Sequence, residues 1–397
     1  MSAISQLLYL KSDDLPKMPP GWRPARVQDI SELLKPGKLY DENTVLPDGE
    51  VPVVNQSSDD WHGFHDEEPG VVASEDGPVS TFANHTCAMR LMKRPFSCIQ
   101  NIFPRVGTRG VCDTVFFHYA TLGRVSLSGY KGHHPIYREI WIPLPPLPIQ
   151  LKIADILSAY DDLIENNRRR MALLEEAARQ LYREWFVRLH FPGHEHTRIT
   201  NGVPEGWTAG EVADFYDTAS GGTPSRKRPD YFHGEIPWVK TQELLNGFII
   251  ETAERITEDG LNSSAAKLFP EQTVLLALYG ATVGELGILA TSATTNQACC
   301  AVLPKDSRAH YIHAFLFFRE NKERLRSLSA GAAQKNISQE IIRAFGMVLP
   351  SKLVMNMFIE SLNPAFDQWL NLERQNQKLR AARDLLLPRL MSGEIVV

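Results

Sequence analysis

The sequence predicts an α+β protein made by tandem duplication. Two mixed α/β, β-rich globular units are separated by two long helices, which pair as an antiparallel coiled coil with pseudo-twofold symmetry. Three observations predict this. Peptides of the first half return in order in the second half. Each copy ends in a long heptad-patterned stretch. Short β-type runs between Gly and Pro fill the remainder.

The repeat begins with Gly49-Glu50-Val51-Pro52-Val53-Val54-Asn55-Gln56, which returns as Gly234-Glu235-Ile236-Pro237-Trp238-Val239-Lys240-Thr241 at an offset of 185 residues. Pro20-Gly21-Trp22 maps onto Glu205-Gly206-Trp207 at the same offset. The offset then grows to 201, where Ile136-Tyr137-Arg138-Glu139-Ile140 meets Ile337-Ser338-Gln339-Glu340-Ile341. It reaches 204, where Ala177-Ala178-Arg179-Gln180-Leu181 meets Ala381-Ala382-Arg383-Asp384-Leu385. The second copy therefore carries a net insertion after Thr241.

Four segments follow in order. Residues 1–147 form the first globular unit, with β-type runs at 51–54 and 111–117. Pro143-Leu144-Pro145-Pro146-Leu147-Pro148 reads as a stiff connector that forbids helix. Residues 148–191 hold the first spacer helix, over about 150–189. Tyr160, Asn167, Leu174 and Leu181 recur every seven residues, with Ile164, Met171, Ala178 and Trp185 between them. That seam calls for a helical partner, and Asn167 on it can fix register. Phe191-Pro192-Gly193 ends the helix. Residues 192–348 form the second globular unit, entered through a linker at 192–206. Residues 349–397 hold the second spacer, with Phe358, Ala365, Leu372, Leu379 and Leu386 interleaved by Leu362, Trp369, Asn376, Arg383 and Leu390. Asn363-Pro364 within it predicts a cap and a new helix start, so that this helix is bent or in two pieces. An antiparallel pair of about 38 residues would hold the two units on the order of 55 Å apart.

The totals narrow the class. A length of 397 residues suits two or three domains, and 43% hydrophobic with 22% charged residues is ordinary for a soluble globular protein. No apolar run approaches the roughly 20 residues of a membrane span, and the start of the chain lacks the pattern of a secretory leader. The five cysteines form no Cys-x-x-Cys pair and fit reduced thiols in a cytoplasm. A net charge of −5 is unlike a free-standing nucleic-acid binder, although partners can supply phosphate contacts.

Catalytic signatures are missing. Asn363-Pro364-Ala365-Phe366 resembles the Asn-Pro-Pro-Phe loop of adenine methyltransferases, but it lacks the second proline and reads better as a helix cap. There is no dinucleotide glycine motif and no phosphate loop. His190, His194 and His196 have only Glu195 beside them and read as a solvated linker rather than a metal site. His133-His134 reads as loop surface rather than a catalytic pair. Such a chain fits a recognition or scaffold role, with no metal and no cofactor of its own.

Candidate recognition residues sit at strand exits and turns. Gly221-Gly222 leads into Thr223, Ser225, Arg226, Lys227 and Arg228, a flexible basic turn suited to phosphate. Lys240, Thr241 and Gln242 end the repeated strand, and their counterparts are Asn55, Gln56 and Ser57; such side chains can read base edges. Tyr279 to Gly284 follows an apolar run and either presents Tyr279 and Thr282 to a ligand or forms a plain hairpin turn. Gln334, Lys335 and Asn336 pair with His133 and His134 of the first unit, where Arg105, Arg109 and Lys131 add positive charge.

Together these features resemble the specificity subunit of type I restriction-modification systems over essentially the whole chain. The motifs that carry the resemblance are Gly221-Gly222-Thr223-Pro224-Ser225, Ile236-Pro237-Trp238-Val239-Lys240-Thr241, the 279–284 turn, Asn296-Gln297-Ala298 and Gln334-Lys335-Asn336-Ile337-Ser338. The proline lead-in to the first helix and the closing Leu387-Pro388-Arg389-Leu390-Met391-Ser392-Gly393-Glu394-Ile395 match as well. The resemblance implies two target recognition domains, each reading one half-site of a bipartite double-stranded DNA sequence across a gap set by the spacers. It implies two docked methyltransferase subunits that bring S-adenosylmethionine, and restriction subunits that bring ATP and Mg. Catalysis would then lie in those partners, with no role for a membrane. In the first unit Gly77-Pro78-Val79 stands where the second has Gly280-Ala281-Thr282, and Ile99-Gln100-Asn101 only echoes Asn296-Gln297-Ala298. The alternative is a two-domain protein-binding scaffold with a coiled-coil spacer.

Overall fold

A computed structural model of the chain describes residues 9–57, 61–126, 132–328 and 336–397. In it the repeated octapeptide becomes the central strand of a three-stranded mixed sheet in each unit. Val51–Val54 runs antiparallel to Trp61–His65 and parallel to Ser97–Cys98, with Val53 opposite Ser97. Phe232–Val239 runs antiparallel to Glu254–Ile256 and parallel to Thr294–Thr295, with Trp238 opposite Thr294. Val53 and Trp238 are 185 residues apart, as the repeat predicts.

A larger sheet repeats as well. In the first unit its order is Ser31–Leu33, Ile102–Gly107, Val79–Ala83, Met89–Met92, all antiparallel. In the second it is Tyr216–Ser220, Cys299–Pro304, Val274–Ala277, Leu286–Leu289, with Gly247–Ile249 added in parallel at the edge. The added strand follows Thr241, where the insertion was expected. Val274–Ala277 is buried at every position, as its unbroken apolar run requires of a strand covered on both faces.

The proline-rich connector differs from expectation. Trp141–Leu144 is a strand, paired with Arg23–Arg26 so that Pro24 lies opposite Pro143. Thr208–Glu211 and Gly346–Leu349 form the equivalent ribbon. A two-stranded ribbon has only edges, where a missing N–H costs least. The first long helix, α1, then spans Leu147–Tyr182 and continues as a wider π-type turn over Arg183–Val187. Pro148 lies in its first turn, where its N–H has no helical partner to lose. Buried Gln150 staples this start: its amide donates to Val111 O at 3.0 Å and Pro145 O at 2.8 Å, and Asp113 N donates to its Oε1 at 2.8 Å.

The second long helix, α2, spans Lys352–Ser392 without a break. The expected cap at Asn363-Pro364 is absent. Proline removes the bond to the carbonyl of Glu360. Glu360, Asn363 and Pro364 are exposed, so water can hydrate that carbonyl, while buried Phe358, Leu362, Phe366 and Trp369 hold the opposite face. The start of α2 lies 205 residues after that of α1, and Ile153, Leu157, Ile164 and Met171 share burial with Phe358, Leu362, Trp369 and Asn376 at that same offset. The matched helical peptides at 204 are one residue out of structural register.

By contacts the chain divides into two units that each take part of both helices: Met1–Glu165 with Gln377–Val397, and Asn166–Asn376. In the first, Ile153, Leu157, Leu387, Leu390 and Met391 pack with Phe116, Phe117 and Tyr137. Tyr119 Oη donates to Asp161 Oδ2 at 2.5 Å, and Arg383 also binds Asp161. In the second, Met171, Ala178, Tyr182, Phe358, Leu362, Trp369 and Leu372 enter one core with Phe315 and Tyr311. Leu174, Leu181 and Trp185 are partly buried against that core, whereas Tyr160, Leu379 and Leu386 are half-buried. Asn167 Nδ2 donates to Asn376 Oδ1 at 2.9 Å, with both side chains buried. The five cysteines are free, and burial pushes the Cys98, Cys112, Cys299 and Cys300 thiols up to about 12. Among the described residues no helix is long and apolar enough to cross a membrane.

The buried amide pair makes a stability prediction. Asn167→Leu removes the donor to Asn376 Oδ1 and should cost about 1–3 kcal/mol in denaturant unfolding. Adding Asn376→Leu should restore most of that loss. A double variant no more stable than the single would contradict the pairing.

Candidate nucleic-acid interface

In the second unit, backbone hydrogen bonds gather four loops around the end of the central strand. Asn296 N donates to Val239 O at 2.9 Å, Leu278 N to Ala298 O at 2.8 Å, and Ile337 N to Leu278 O at 2.9 Å, while Tyr279 bridges to Asn336. Gly222 N donates to Thr295 O at 2.9 Å, and Trp238 Nε1 donates to Gly222 O at 3.0 Å. Both glycines of Gly221-Gly222 are required by this approach. A Cβ on Gly221 would stand 2.1 Å from Thr295 O, and one on Gly222 would stand 2.3 Å from Ala265 C. Thr223 Oγ1 then donates to Gln297 Oε1 at 2.5 Å. The loops at 223–228, 240–242, 279–282 and 296–298 thus form one cluster with Asn336.

The basic turn is not the free, flexible loop its composition predicts. Arg226 pairs with Glu254 at 2.6 Å and lies over Phe232 at 4.3 Å and Trp238 at 5.0 Å. Lys240 Nζ reaches the same carboxylate at 2.8 Å, and its side chain is 18% exposed. The two cations hold the Glu254 carboxyl down at about 2. Arg228 pairs with Asp230 at 2.6 Å and lies over Tyr231 at 4.6 Å. Ser225 and Lys227 are exposed, as is Gln242, with Thr241 half-buried beside it. Guanidiniums held by carboxylates and stacked on rings keep several N–H donors in fixed directions, which suits contact with phosphate or base edges.

The 279–284 segment takes the plain hairpin form of the two readings. It is the hairpin turn between Val274–Ala277 and Leu286–Leu289, and it leaves Tyr279 44% exposed. Gly280 takes φ +76°, a conformation that favours glycine. Thr282 Oγ1 caps the turn on Tyr279 O at 3.4 Å. Behind it Glu285 is gripped by Lys322 at 2.7 Å, Arg326 at 3.2 Å and Asn246 at 2.6 Å.

In the first unit the equivalent bond is Ile99 N to Val54 O, 3.1 Å. It aligns Gln100 with Gln297, so the echo in the sequence is a structural match. Gln56 is the hub of this cluster: its Oε1 accepts from His85 N at 3.1 Å, and its Nε2 donates to Gln100 O and Asn101 O at 3.3 Å. That amide is occupied by the fold rather than free to read a base. Asn55 Oδ1 accepts from Ser57 N at 2.8 Å, and Arg90, missed in the sequence, binds Ser57 O at 3.0 Å while lying 4.4 Å over Trp61. Gly77-Pro78-Val79 is not the counterpart of the 280–282 turn. It precedes the strand Val79–Ala83, and the corresponding hairpin is 84–88, which presents exposed His85 and Thr86.

Three expected contacts lie elsewhere. Arg105 is 4% exposed, with Nε donating to Ser31 Oγ at 3.0 Å and Nη2 to Ser31 O at 3.3 Å. His133 and His134 are buried rather than loop surface: His133 bonds Asn84 O at 3.1 Å, and the His134 ring stacks on Phe103 at 3.6 Å. Arg109 stands exposed on a turn before the helix Thr114–Thr121. Lys131, Gln334 and Lys335 lie outside the described residues. His190 Nδ1 pairs with Glu184 at 3.1 Å, and among the described residues no group of three or more His, Cys, Asp or Glu side chains could hold a metal ion.

The chain matches the family described as the type I restriction modification DNA specificity domain, over residues 136–176 and 204–354. It is 23% identical to the specificity subunit of the type I restriction enzyme MjaIX from Methanocaldococcus jannaschii, covering 98% of this chain and 96% of that one. It is also 23% identical to the HindI specificity subunit of Haemophilus influenzae, covering 64% and 68%. In fold it resembles the S subunit of a type I restriction-modification system from M. genitalium, with a TM-score of 0.57 at 14% identity, covering 95% of this chain and 98% of that one.

Acid should open the Arg226 clamp. Because the Glu254 carboxyl lies below its ordinary 4.5, its pairing is complete above that pH and is lost as pH falls toward 2. The Trp238 indole N–H resonance should therefore titrate between those limits and stay flat in Glu254→Gln. A titration that survives in the variant would rule out Glu254 as its cause.

Proposed function

We infer, from a chain that belongs to the family of type I restriction-modification specificity subunits, that each of its units reads one half-site of a bipartite double-stranded DNA target. The observation that carries this reading is the loop cluster at the end of the central strand, built alike in both units by the Val54–Ile99 and Val239–Asn296 hydrogen bonds. A common scaffold presents different side chains: Asn55, Ser57, His85 and Thr86 in one unit, and Lys240, Thr241, Gln242 and Tyr279 in the other. Side chains that differ on a shared framework suit two different half-sites.

In this reading the chain catalyses nothing itself. Two methyltransferase subunits dock along the helices and bring S-adenosylmethionine. Restriction subunits add ATP- and Mg-dependent cleavage, and the complex works in the cytoplasm. The length of α1 and α2 sets the unspecified gap between half-sites. Acidic net charge is compatible with DNA binding because phosphate contact is local: the loop cluster of the second unit gathers exposed Lys227 with Arg226 and Lys240, paired to Glu254, and Arg228, paired to Asp230.

Co-expression with the partner methyltransferase, followed by methylation mapping of host DNA, should return a two-part motif with a fixed gap. Absence of methylation, together with no DNA shift by the purified complex, would refute the reading. Lys227→Ala should weaken DNA binding without changing the motif and lower the salt slope by about 1, as for a single phosphate contact. A changed motif would instead make Lys227 a base-reading residue.

A further inference from the structure

A second concave site lies in the first unit, tied to the 84–88 hairpin by the bond from His134 N to Asn84 Oδ1 at 2.9 Å. It has a volume of 440 Å3 and is lined by Gln28, Asp29, Leu33, Arg105, His134 and Arg138. Its floor is electrostatically unbalanced. Among the described residues Arg105 is a buried guanidinium bonded to Ser31, and the charged group beside it is another cation, Arg138. Burial lowers its pKa. A buried charge without a counter-ion is costly, and a bound anion is the usual compensation.

The other lining groups leave the deficit in place. The Asp29 carboxylate is taken by Arg26 Nε at 3.1 Å. The Gln28 amide oxygen accepts from Arg138 Nη2 at 2.9 Å, which orients that guanidinium and leaves its remaining N–H groups to spare. His134 is 9% exposed and stacked on Phe103, and its Nε2 is a buried atom without a hydrogen-bond partner. Desolvation holds this imidazole down at about 4, so near neutral pH it is uncharged, with one N–H. The repeat has no equivalent of this floor in the second unit. Ser31 corresponds to Tyr216 and Arg105 to Val302, since Leu33 opposite Arg105 maps onto Thr218 opposite Val302.

We propose that this concavity is a binding site for a phosphate-type oxyanion, held by Arg105 and Arg138 with the Nε2–H of His134 as a third donor. Two guanidiniums and one neutral N–H line the concavity, and its one carboxylate, Asp29, is paired with Arg26 at 3.1 Å, the chemistry that suits a tetrahedral oxyanion. The oxyanion is either carried by a free phosphate compound or belongs to a DNA backbone, and the two sources are separable.

The purified full chain should melt about 2–4 °C higher in inorganic phosphate at roughly ten times its Kd than in chloride of matched ionic strength. The 31P line of inorganic phosphate should broaden on addition of the wild-type chain. Arg138→Gln, on the rim, should abolish both effects. No broadening with wild type, or an equal rise in the variant, would overturn the proposal, since a rise that survives would be general salt exclusion. In the complex with its methyltransferase, Arg138→Gln that weakens DNA binding by roughly tenfold identifies a DNA phosphate as the source. Unchanged DNA binding identifies a free phosphate compound. The phosphate measurements do not involve DNA recognition, so their failure would leave the bipartite reading untouched.

Discussion

A parallel pairing only two residues long governs the recognition end of each unit. Val53 and Val54 lie beside Ser97 and Cys98, and Trp238 and Val239 lie beside Thr294 and Thr295, all buried. Antiparallel neighbours can be joined by a tight turn, but parallel ones need a long crossover. That crossover carries the larger sheet's central hairpin in both units, and it returns next to the strand exit. The bonds Ile99 N to Val54 O and Asn296 N to Val239 O close the circuit. The described loops of the second unit's cluster hang on that closure: Gly221 presses against Thr295, and the 279–282 turn is tied through Leu278 to both Ala298 and Ile337.

Rigidity is what the surrounding ion pairs add. Glu254 lies between Arg226 and Lys240, and the aromatic rings of Phe232 and Trp238 support the guanidinium. Exposed pairs of this kind contribute little to global stability. Their value here is directional, because a stacked and paired arginine loses less freedom on meeting a ligand. The first unit reaches the same end with Gln56 bonded to three backbone groups and the Arg90 cation laid on Trp61. The two loop clusters therefore share a backbone plan and differ in electrostatics. The oxyanion-type pocket around Arg105 extends that difference into the sheet of the first unit.

Much of this was legible in the order of residues. The repeat located the first central strand to the residue and the end of the second at Val239, and heptad spacing located both long helices. Of the motifs that return between the halves, the ends of the octapeptide and the 99–101 and 296–298 stretches meet at the strand exit. Burial was the main source of error. Arg105, His133 and His134 look like surface cations and polar loop residues, yet partners distant in sequence enclose them: Ser31 lies 74 residues from Arg105, and Asn84 lies 49 from His133. Pro364 reads as a stop, but it falls on an exposed helix face whose opposite side is locked by Phe366 and Trp369. Gly77-Pro78-Val79 was matched by composition, whereas pairing register assigns its role to 84–88.

What the sequence by itself determined was the repetition, the elements and the kind of side chain at each loop, because periodicity and turn chemistry are local properties of a chain. What only the tertiary structure decided was which of those side chains remain available. Gln56 is consumed by the fold, Arg105 is enclosed in the sheet of the first unit, Arg226 is clamped, and Lys227 is left exposed, because burial and pairing depend on neighbours brought from dozens of residues away. Two copies of one ancestral unit could thus keep a common framework of strands and helices while enclosing and exposing different polar groups.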